Sequence, residues 1–293
     1  MSGSTTASFF GGSTVQKPGQ LGKGSQSAPI DVKTSGREIE TLNIAEDFYS
    51  VQGEGVTTGV PAYFIRLKAC NLMCGGVDGS LVKEGKATWW CDTEYVWKKG
   101  LEKNFEYLEE RWKEEGILDW VLQGRVNLIW TGGEPTIPKN QRAIVAFLDW
   151  FYKRWDRLQN KIHVFNEIET NGTLYIDDEL FQKIDQINCS VKLANSGMEA
   201  SRRIKPLALE RIMSHKNYWF KFVISDEADL EEIERDFVNQ YNIPPKKVLM
   251  MPGLDKQENF HERTKFCMEA AKKFGYTGLS RMHVSAWDQT TGV

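Results

Sequence analysis

Short β-rich segments alternate with longer amphipathic segments over most of this chain. Residues 139–158 and 258–274 place apolar side chains at intervals of three or four, which is typical of one helix face. Repeated strand–helix units favour a parallel sheet covered by helices. We therefore predict an α/β fold, a full or partial (βα) barrel with outer helices, with an open doubly wound sheet as the alternative. The predicted strands are AYFIRLKA (62–69), RVNLIWT (125–131), IHVFNEIET (162–170), QINCSVKL (186–193), NYWFKFVIS (217–225), KKVLMMP (246–252) and LSRMHVSA (279–286).

The beginning of the chain has a different composition from the rest. Residues 1–36 contain seven Gly and seven Ser and show no apolar periodicity. We interpret residues 1–38 as a flexible tail, with a fusion or cloning remnant as the alternative. Residues 39–293 suffice for one domain, because an α/β barrel takes about 250 residues.

Charge and hydropathy exclude several classes of protein. The net charge of −3 argues against a nucleic-acid-binding protein, which usually carries a basic surface. The chain contains no run of about 18 apolar residues, so we expect no membrane span. The N-terminus lacks the pattern of a secretory signal. We expect a cytoplasmic protein. The five cysteines, an odd number, favour a metal or redox site over a disulfide framework.

Three of the five cysteines lie in one polar segment, CNLMCGGVDGSLVKEGKATWWCDT (70–93). Cys70, Cys74 and Cys91 are separated by three and sixteen residues. Thiolates bind soft metals, and three of them leave one iron of a 4Fe-4S cluster open. Structural zinc is the alternative, but it requires four ligands. Cys189 and Cys267 lie in apolar patterns and fit buried hydrophobic positions.

Other unusual segments also follow predicted strands. TGGEP (131–135), ETNGT (169–173) and SVK (190–192) lie at or near the ends of three strands, as the cysteines do. Since the carboxyl ends of parallel strands meet at one edge, we expect all four segments to form one site.

These motifs together resemble a known family. VQGEG (51–55), GVPAYFIRLKACNLMC (59–74), WWCDT (89–93), WTGGEP and ETNGT are similar to segments of radical S-adenosylmethionine enzymes, and within them of 7-carboxy-7-deazaguanine synthases. The resemblance covers about residues 44–293. The family pattern is C-x3-C-x2-C-D-T, so this chain carries an insertion between its second and third cysteines. A surface insertion costs little entropy. Lys68 and Ala69 also depart from the pattern, as does Val191, where the family tends to have proline.

The resemblance implies a fold, a reaction and partners. The fold would be a partial (βα) barrel of the radical S-adenosylmethionine type. The reaction would contract the ring of 6-carboxy-5,6,7,8-tetrahydropterin to 7-carboxy-7-deazaguanine with loss of ammonia, a carbon–nitrogen lyase step that supplies queuosine or modified DNA. It would need a 4Fe-4S cluster, S-adenosylmethionine, Mg²⁺ and a flavodoxin-like electron donor, and the family implies a homodimer.

The resemblance also implies site residues. No catalytic residue is expected beyond the radical that the cofactor supplies. The cluster would be held by Cys70, Cys74 and Cys91, and Mg²⁺ by Thr93. The S-adenosylmethionine ligands would be Gly132, Gly133, Glu134, Glu169, Thr170, Asn171, Ser190 and Lys192. The substrate ligands would be Gln52, Gly53, Glu54, Arg66, Thr131, His283 and the carboxylate of Val293.

Each assignment has a structural alternative. Glu54 could accept the pterin's N–H groups, or QGEG could be a solvated turn. Arg66 could bind a substrate carboxylate as a fork, or form a structural salt bridge. TGGEP and the Asn-Gly pair could be plain turns, Thr93 a helix cap, and His283 a structural residue in a terminal strand. Two other functions remain open: a different radical S-adenosylmethionine enzyme, such as a glycyl-radical activase, or a metal-stabilised binding protein.

Overall fold

The structure, a computed structural model, describes residues 39–156, 162–253, 257–288, 290 and 292. Within them one sheet of nine strands runs through the protein. The predicted tail lies outside the described residues, as does Val293. The strands are β1 (Thr41–Val51), β2 (Pro61–Leu67), β3 (Leu101–Asn104), β4 (Asn127–Gly132), β5 (Asn166–Thr170), β6 (Gln186–Val191), β7 (Tyr218–Ile224), β8 (Val248–Pro252) and β9 (Thr277–Gly278).

The strand order distinguishes between the two predicted architectures. The order is β3-β1-β2-β4-β5-β6-β7-β8-β9, and every neighbouring pair from β2 to β9 is parallel. Each new parallel strand is added on the same side, whereas a doubly wound sheet reverses its order at a switch point. This confirms the predicted partial barrel. β1 pairs antiparallel with both β2 and β3.

Helices cover the outer face of the sheet. In the longest, Ile144, Phe147, Leu148 and Phe151 are fully buried, as their spacing predicts. A π-helical turn at Ile233–Val238 follows the helix Glu227–Glu232. The helices are α1 (Ser80–Lys83), α2 (Glu94–Trp97), α3 (Glu106–Glu114), α4 (Leu118–Leu122), α5 (Pro138–Asp156), α6 (Asp178–Lys183), α7 (Ala200–Arg203), α8 (Pro206–Met213), α9 (Glu227–Glu232), α10 (Asn239–Tyr241), α11 (Phe260–Phe274) and α12 (Met282–Trp287). None of these combines the length and apolarity of a membrane-spanning helix.

The two faces of the sheet differ in polarity because side chains alternate along each strand. The outer face carries the main hydrophobic core, including Ile65, Trp130 and Phe220. The inner face has a small apolar cluster formed by Ala62, Phe64, Ile129 and Phe48. Beside this cluster the inner face is polar: Asn127, Glu167, Gln186, Asn188 and Lys221 are buried there. A buried polar face is unusual for a structural sheet and indicates a binding site.

The last predicted strand is wrong. Among the described residues, Thr277–Gly278 pairs with β8, and helix α12 (Met282–Trp287) replaces most of the predicted strand 279–286. The sequence pattern is consistent with either structure, since Val284 and Trp287 are spaced by one helical turn. His283 therefore lies on a short helix, and not on a strand. The sequence also did not predict β1 or β3.

Candidate active site

The site is formed by loops at the carboxyl ends of the parallel strands. β2 ends at Leu67, and Ala69 adopts a left-handed backbone (φ 73°) that leads into the cysteine loop. The alternation of side chains along β2 therefore stops at Leu67 and does not extend to Cys70. Leu67 pairs with Gly132 at the end of β4, so the TGGEP turn begins directly beside the cysteine loop.

Two glycines allow these loops to touch. A Cβ on Gly132, whose φ is +118°, would lie 2.2 Å from the Leu67 nitrogen. A Cβ on Gly133 would lie 1.8 Å from the Ala69 carbonyl oxygen and 2.9 Å from the Cys70 nitrogen. The backbone N–H of Gly133 donates to Leu67 O (3.0 Å), and that of Glu134 to Ala69 O (2.8 Å). Only glycine permits such close backbone approach.

The three clustered cysteines meet at this loop. The Cys91 N–H donates to the Cys74 carbonyl oxygen at 3.1 Å. The Trp97 indole N–H lies 3.5 Å from the Cys91 sulfur, and the Asn171 side-chain nitrogen lies 3.9 Å from the Cys70 sulfur. Cys189 and Cys267 are fully buried, as predicted for hydrophobic positions.

Burial makes the free thiolates unfavourable. Burial, the charge of Glu134 and the two neighbouring thiols raise the pKa of Cys70 to about 12. Burial and Cys91 also raise the pKa of Cys74, although Lys192 acts in the opposite direction. Thiolates at such positions need a bound cationic group. In the described part of the chain, no three His, Cys, Asp or Glu side chains converge as ligands of a single metal ion. Three soft donors around one loop fit the open-cornered cluster.

The insertion between Cys74 and Cys91 is folded and attached to the far half of the sheet. Gly75 N–H donates to Ser196 O (2.8 Å) and Thr88 N–H to Asn195 O (2.9 Å). The Trp89 indole N–H donates to the Asn195 side chain at 2.9 Å. The inserted residues therefore hold the loop that follows β6.

Glu134 connects the TGGEP turn to the end of β5. Its carboxylate is fully buried and accepts from Thr170 Oγ1 (2.7 Å), the Asn171 N–H (2.7 Å), and the N–H (2.9 Å) and Oγ1 (2.5 Å) of Thr136. Burial raises the pKa of Glu134, and these hydrogen bonds oppose that rise. Since the carboxylate is satisfied within the chain, it fixes two backbone turns beside Cys70.

A second network links the QGEG loop to the strands. The buried Gln52 side chain donates to Glu169 Oε1 at 3.2 Å, and Thr131 Oγ1 donates to Glu169 Oε2 at 2.9 Å. The Gln52 oxygen accepts the Glu54 N–H at 3.1 Å. The structure thus brings together Gln52, Thr131 and Glu169, which were predicted separately.

Ser190 and Lys192, two residues apart at the end of β6, lie together. Lys192 Nζ donates to Ser190 Oγ at 2.9 Å and lies 5.5 Å from the centre of the Trp89 ring. Because Trp89 belongs to the segment between Cys74 and Cys91, the Lys192 ammonium lies close to the cysteine loop. A cation beside the cysteines is suited to an anionic group of a cofactor.

Glu54 is held between two cations. Lys221 Nζ on β7 pairs with Glu54 Oε2, and Arg281 Nε lies 3.2 Å from Oε1. Burial disfavours the Glu54 carboxylate, but Lys221, Arg281 and His283 together hold its pKa well below its usual range. QGEG is therefore not a solvated turn.

The C-terminal segment packs on the QGEG loop. The Met282 N–H donates to Gly53 O at 3.0 Å, and a Cβ on Gly53 would lie 2.2 Å from His283 Nδ1. Burial lowers the pKa of His283, although Glu54 acts in the opposite direction. Gly53 is thus required for the close approach of the imidazole.

Arg66 lies on the inner face of β2, because side chains alternate along the strand and Ile65 and Leu67 belong to the outer core. Arg66 Nε is 3.0 Å from Glu46 Oε2, and its guanidinium carbon lies 5.7 Å from the centre of the Phe48 ring. The structure therefore contains the salt bridge that was the alternative interpretation of Arg66. The Arg66 side chain remains 21% exposed.

Thr93 takes the N-cap position of α2 but makes no capping hydrogen bond through its side chain. Its hydroxyl oxygen lies 3.5 Å from the Cys91 sulfur. The position agrees with the helix-cap alternative, yet the hydroxyl is not used to cap the helix.

Sequence reasoning missed the ion-pair partners of the predicted residues. Lys221 lies within the apolar strand WFKFVI, and Arg281 stands two residues before His283. A lysine in the middle of an otherwise apolar buried strand was the available signal for Lys221, because a buried ammonium requires an anion. Glu46 carried no comparable signal.

Comparisons with known proteins find relatives that match most of this chain. The chain is 30% identical over 255 residues to the 7-carboxy-7-deazaguanine synthase of Pyrobaculum aerophilum, covering 86% of this chain and 97% of that protein. It is 29% identical to the synthase of Rhodopirellula baltica, over 87% of this chain and 94% of the relative. It is 26% identical to the synthase of Halobacterium salinarum, over 87% of this chain and 94% of the relative. The relatives' names indicate an enzyme.

The fold has a solved counterpart. The crystal structure of QueE from Escherichia coli matches with a TM-score of 0.56 and 21% identity, over 83% of this chain and 95% of that one. No model of a protein family matches the chain. On the identity and coverage of its relatives, the chain belongs to the 7-carboxy-7-deazaguanine synthase family.

Proposed function

We propose that this chain is a radical S-adenosylmethionine lyase that converts 6-carboxy-5,6,7,8-tetrahydropterin to 7-carboxy-7-deazaguanine with loss of ammonia. The observation that carries the proposal is the assembly of three motifs at the carboxyl edge of the sheet, together with the QGEG loop, which is joined to them by the Gln52–Glu169 hydrogen bond. The cysteine loop, TGGEP, ETNGT and the QGEG–His283 contact come from distant parts of the sequence. Membership of the synthase family supports the same reaction.

Cys70, Cys74 and Cys91 would hold a 4Fe-4S cluster with one iron left for S-adenosylmethionine. When bound, this pair of cofactors supplies the radical that removes a hydrogen atom from the substrate. Gly132 and Gly133 expose backbone beside the cysteine loop, where a ligand's amino group can approach.

The other S-adenosylmethionine residues act in two ways. Lys192, oriented by Ser190, supplies positive charge for a carboxylate or ribose. Glu134 accepts hydrogen bonds from Thr170 and Asn171, so these residues would keep the turns that face the cofactor in place. Glu169 shares hydrogen bonds with Gln52 and Thr131, so it joins the cofactor side to the substrate side.

The substrate would lie between the QGEG loop and the inner face of β2. Glu54 accepts N–H groups of the pterin, and Gln52 fixes the loop that carries Glu54. Gly53 lets His283 approach, and Arg66 binds the substrate's carboxylate, exchanging part of its contact with Glu46. The carboxylate of Val293 is a further proposed ligand. Thr93, whose hydroxyl caps no helix, would ligate Mg²⁺ together with substrate oxygens and water.

Several properties are proposed on the family relationship. The enzyme would be a cytoplasmic homodimer, reduced by a flavodoxin-like donor, and its product would serve queuosine or modified-DNA synthesis. Residues 1–38 would form a tail separate from the catalytic domain of residues 39–293.

The test is an anaerobic assay of the reconstituted enzyme with the pterin, S-adenosylmethionine, Mg²⁺ and a chemical reductant. We expect 7-carboxy-7-deazaguanine, identified by mass spectrometry, to form only in the complete mixture. Cleavage of S-adenosylmethionine without this product would identify a different radical enzyme.

Two matched variants test the ligand assignment. Each removes one thiol, but Cys91→Ala should lose cluster and activity, while Cys267→Ala should retain both. Iron and sulfide analysis measures the cluster directly. Loss of iron from the Cys267 variant would show that the ligand set is wrong.

A further inference from the structure

Lys221 is a buried cation to which the proposed function assigns no role. It lies in the middle of β7 on the inner face of the sheet, and only 6% of the residue is exposed. Its register partner on β6 is Ser190, so it lies beside the strand that carries the proposed cofactor contacts. An ammonium in this position requires a negative partner.

The partner is the carboxylate proposed to bind the pterin. Lys221 pairs with one oxygen of Glu54, and Arg281 approaches the other at 3.2 Å. A carboxylate has about four acceptor positions. With one cation on each oxygen, one acceptor position per oxygen remains for a ligand with two adjacent N–H donors, such as the aminopyrimidine edge of a pterin.

This arrangement determines whether Glu54 can accept hydrogen bonds. A carboxyl group removed from water becomes protonated unless a cation compensates it, and a protonated carboxyl donates at one oxygen. Arg281 also contacts Asp92 at 3.8 Å, so its charge is shared between two carboxylates. His283 faces Glu54 with a lowered pKa, and Glu169 faces Lys221 from β5. Lys221 is therefore the principal charge partner of Glu54.

We propose that Lys221 is a positioning residue for the substrate, which fixes the orientation and the negative charge of Glu54 so that both of its oxygens accept N–H donors of the pterin. This inference rests on the proposed function. It goes beyond it by assigning pterin recognition to a residue on β7, 167 positions from Glu54 in the sequence.

A purely structural role would have different consequences. A salt bridge that only attaches the QGEG loop to β7 would affect stability but not the pH dependence of ligand binding. A comparable pairing without a proposed ligand occurs on the outer layer, where Lys113 and Arg154, both about half exposed, pair with the buried Glu109. Lys113→Met is therefore the matched control for Lys221→Met.

The experiment measures the Kd of 6-carboxy-5,6,7,8-tetrahydropterin on reconstituted enzyme with S-adenosylmethionine, anaerobically and without reductant. We expect Lys221→Met to weaken binding about 10- to 100-fold near neutral pH, the range for hydrogen bonds to a charged group. Without Lys221 the pKa of Glu54 rises, so binding should recover as the pH is raised. Lys113→Met should bind as the wild type does at every pH.

A double-mutant cycle with Glu54→Gln separates action through Glu54 from a direct contact. In the Glu54→Gln background, Lys221→Met should cause no further loss of affinity. The double variant has neither buried charge, so it folds even where the single variant is unstable. Equal weakening in both backgrounds, or an unchanged Kd and pH profile for Lys221→Met, would overturn the proposal. Wild-type enzyme that does not bind the pterin would overturn the proposed function as well.

Discussion

Gly133→Ala should disconnect the TGGEP turn from the cysteine loop. The added methyl group would lie 1.8 Å from the Ala69 carbonyl oxygen, far inside any van der Waals contact. The nearest atoms belong to backbone, so no side-chain rotation relieves the clash. The turn must move away from the residues that precede Cys70.

The magnitude follows from the two hydrogen bonds that span this contact. They are the Gly133 N–H to Leu67 O bond and the Glu134 N–H to Ala69 O bond. Losing both costs about 2 kcal/mol of the free energy of unfolding, at about 1 kcal/mol each. In a domain of this size that corresponds to a decrease in Tm of about 4–8 °C.

The assay combines thermal unfolding with iron analysis after anaerobic reconstitution. Gly275→Ala is the control, because Gly275 has φ +72° and no atom lies within 4 Å of its added Cβ. The control should lose about 1 kcal/mol of its free energy of unfolding through backbone strain, and it should keep its iron. Gly133→Ala should lose more stability and also bind less iron.

One result would refute this reasoning. If Gly133→Ala had the wild-type Tm and a full complement of iron, then the close contact between the TGGEP turn and Ala69 would not support the cysteine loop.

Three further predictions concern single side chains. Arg66→Ala should retain S-adenosylmethionine binding but weaken pterin binding, as equilibrium dialysis of each ligand would show. Thr93→Val should have a free energy of unfolding within about 0.5 kcal/mol of the wild type, yet it should need more Mg²⁺ for activity. Its control, Thr136→Val, deprives Glu134 of a hydrogen bond and should lower the free energy of unfolding by about 1–3 kcal/mol. Because burial lowers the pKa of His283, the unfolded chain binds its proton more readily, so stability should fall as pH decreases below about 6.5. Urea unfolding of His283→Gln should show a smaller fall; an unchanged fall would contradict this.

The sequence predicted the parallel strands because buried strands of such sheets are nearly continuous apolar runs. It did not predict β1, whose segment contains Glu46 and Asp47. Asp47 is tolerated there because it accepts from Tyr107 at 2.9 Å and lies 3.4 Å from Arg111 Nε. These partners lie on α3, 60 or more residues away, so local sequence carries no sign of them.

The candidate site divides in the same way. The cysteines and TGGEP are local motifs whose residue types reveal their chemistry. The clamp on Glu54 depends on Lys221 and Arg281, which are contributed by other elements of the sheet and by the C-terminal segment. The helix that carries His283 was not predicted, because the apolar spacing of its residues fits a strand as well as a helix. The position at which β9 ends, after two residues, is not evident from the local sequence.

The attachment of the insertion to Asn195, Ser196 and Ser225 also has a consequence for maturation of the protein. These anchors follow β6 and β7, so the insertion gains its contacts with them only after the ribosome has released that part of the sheet. Loading with iron would then be a late event in the life of a newly made chain. A nascent chain that ends before β6 would carry all three cysteines but would lack these anchors for the insertion between the second and the third.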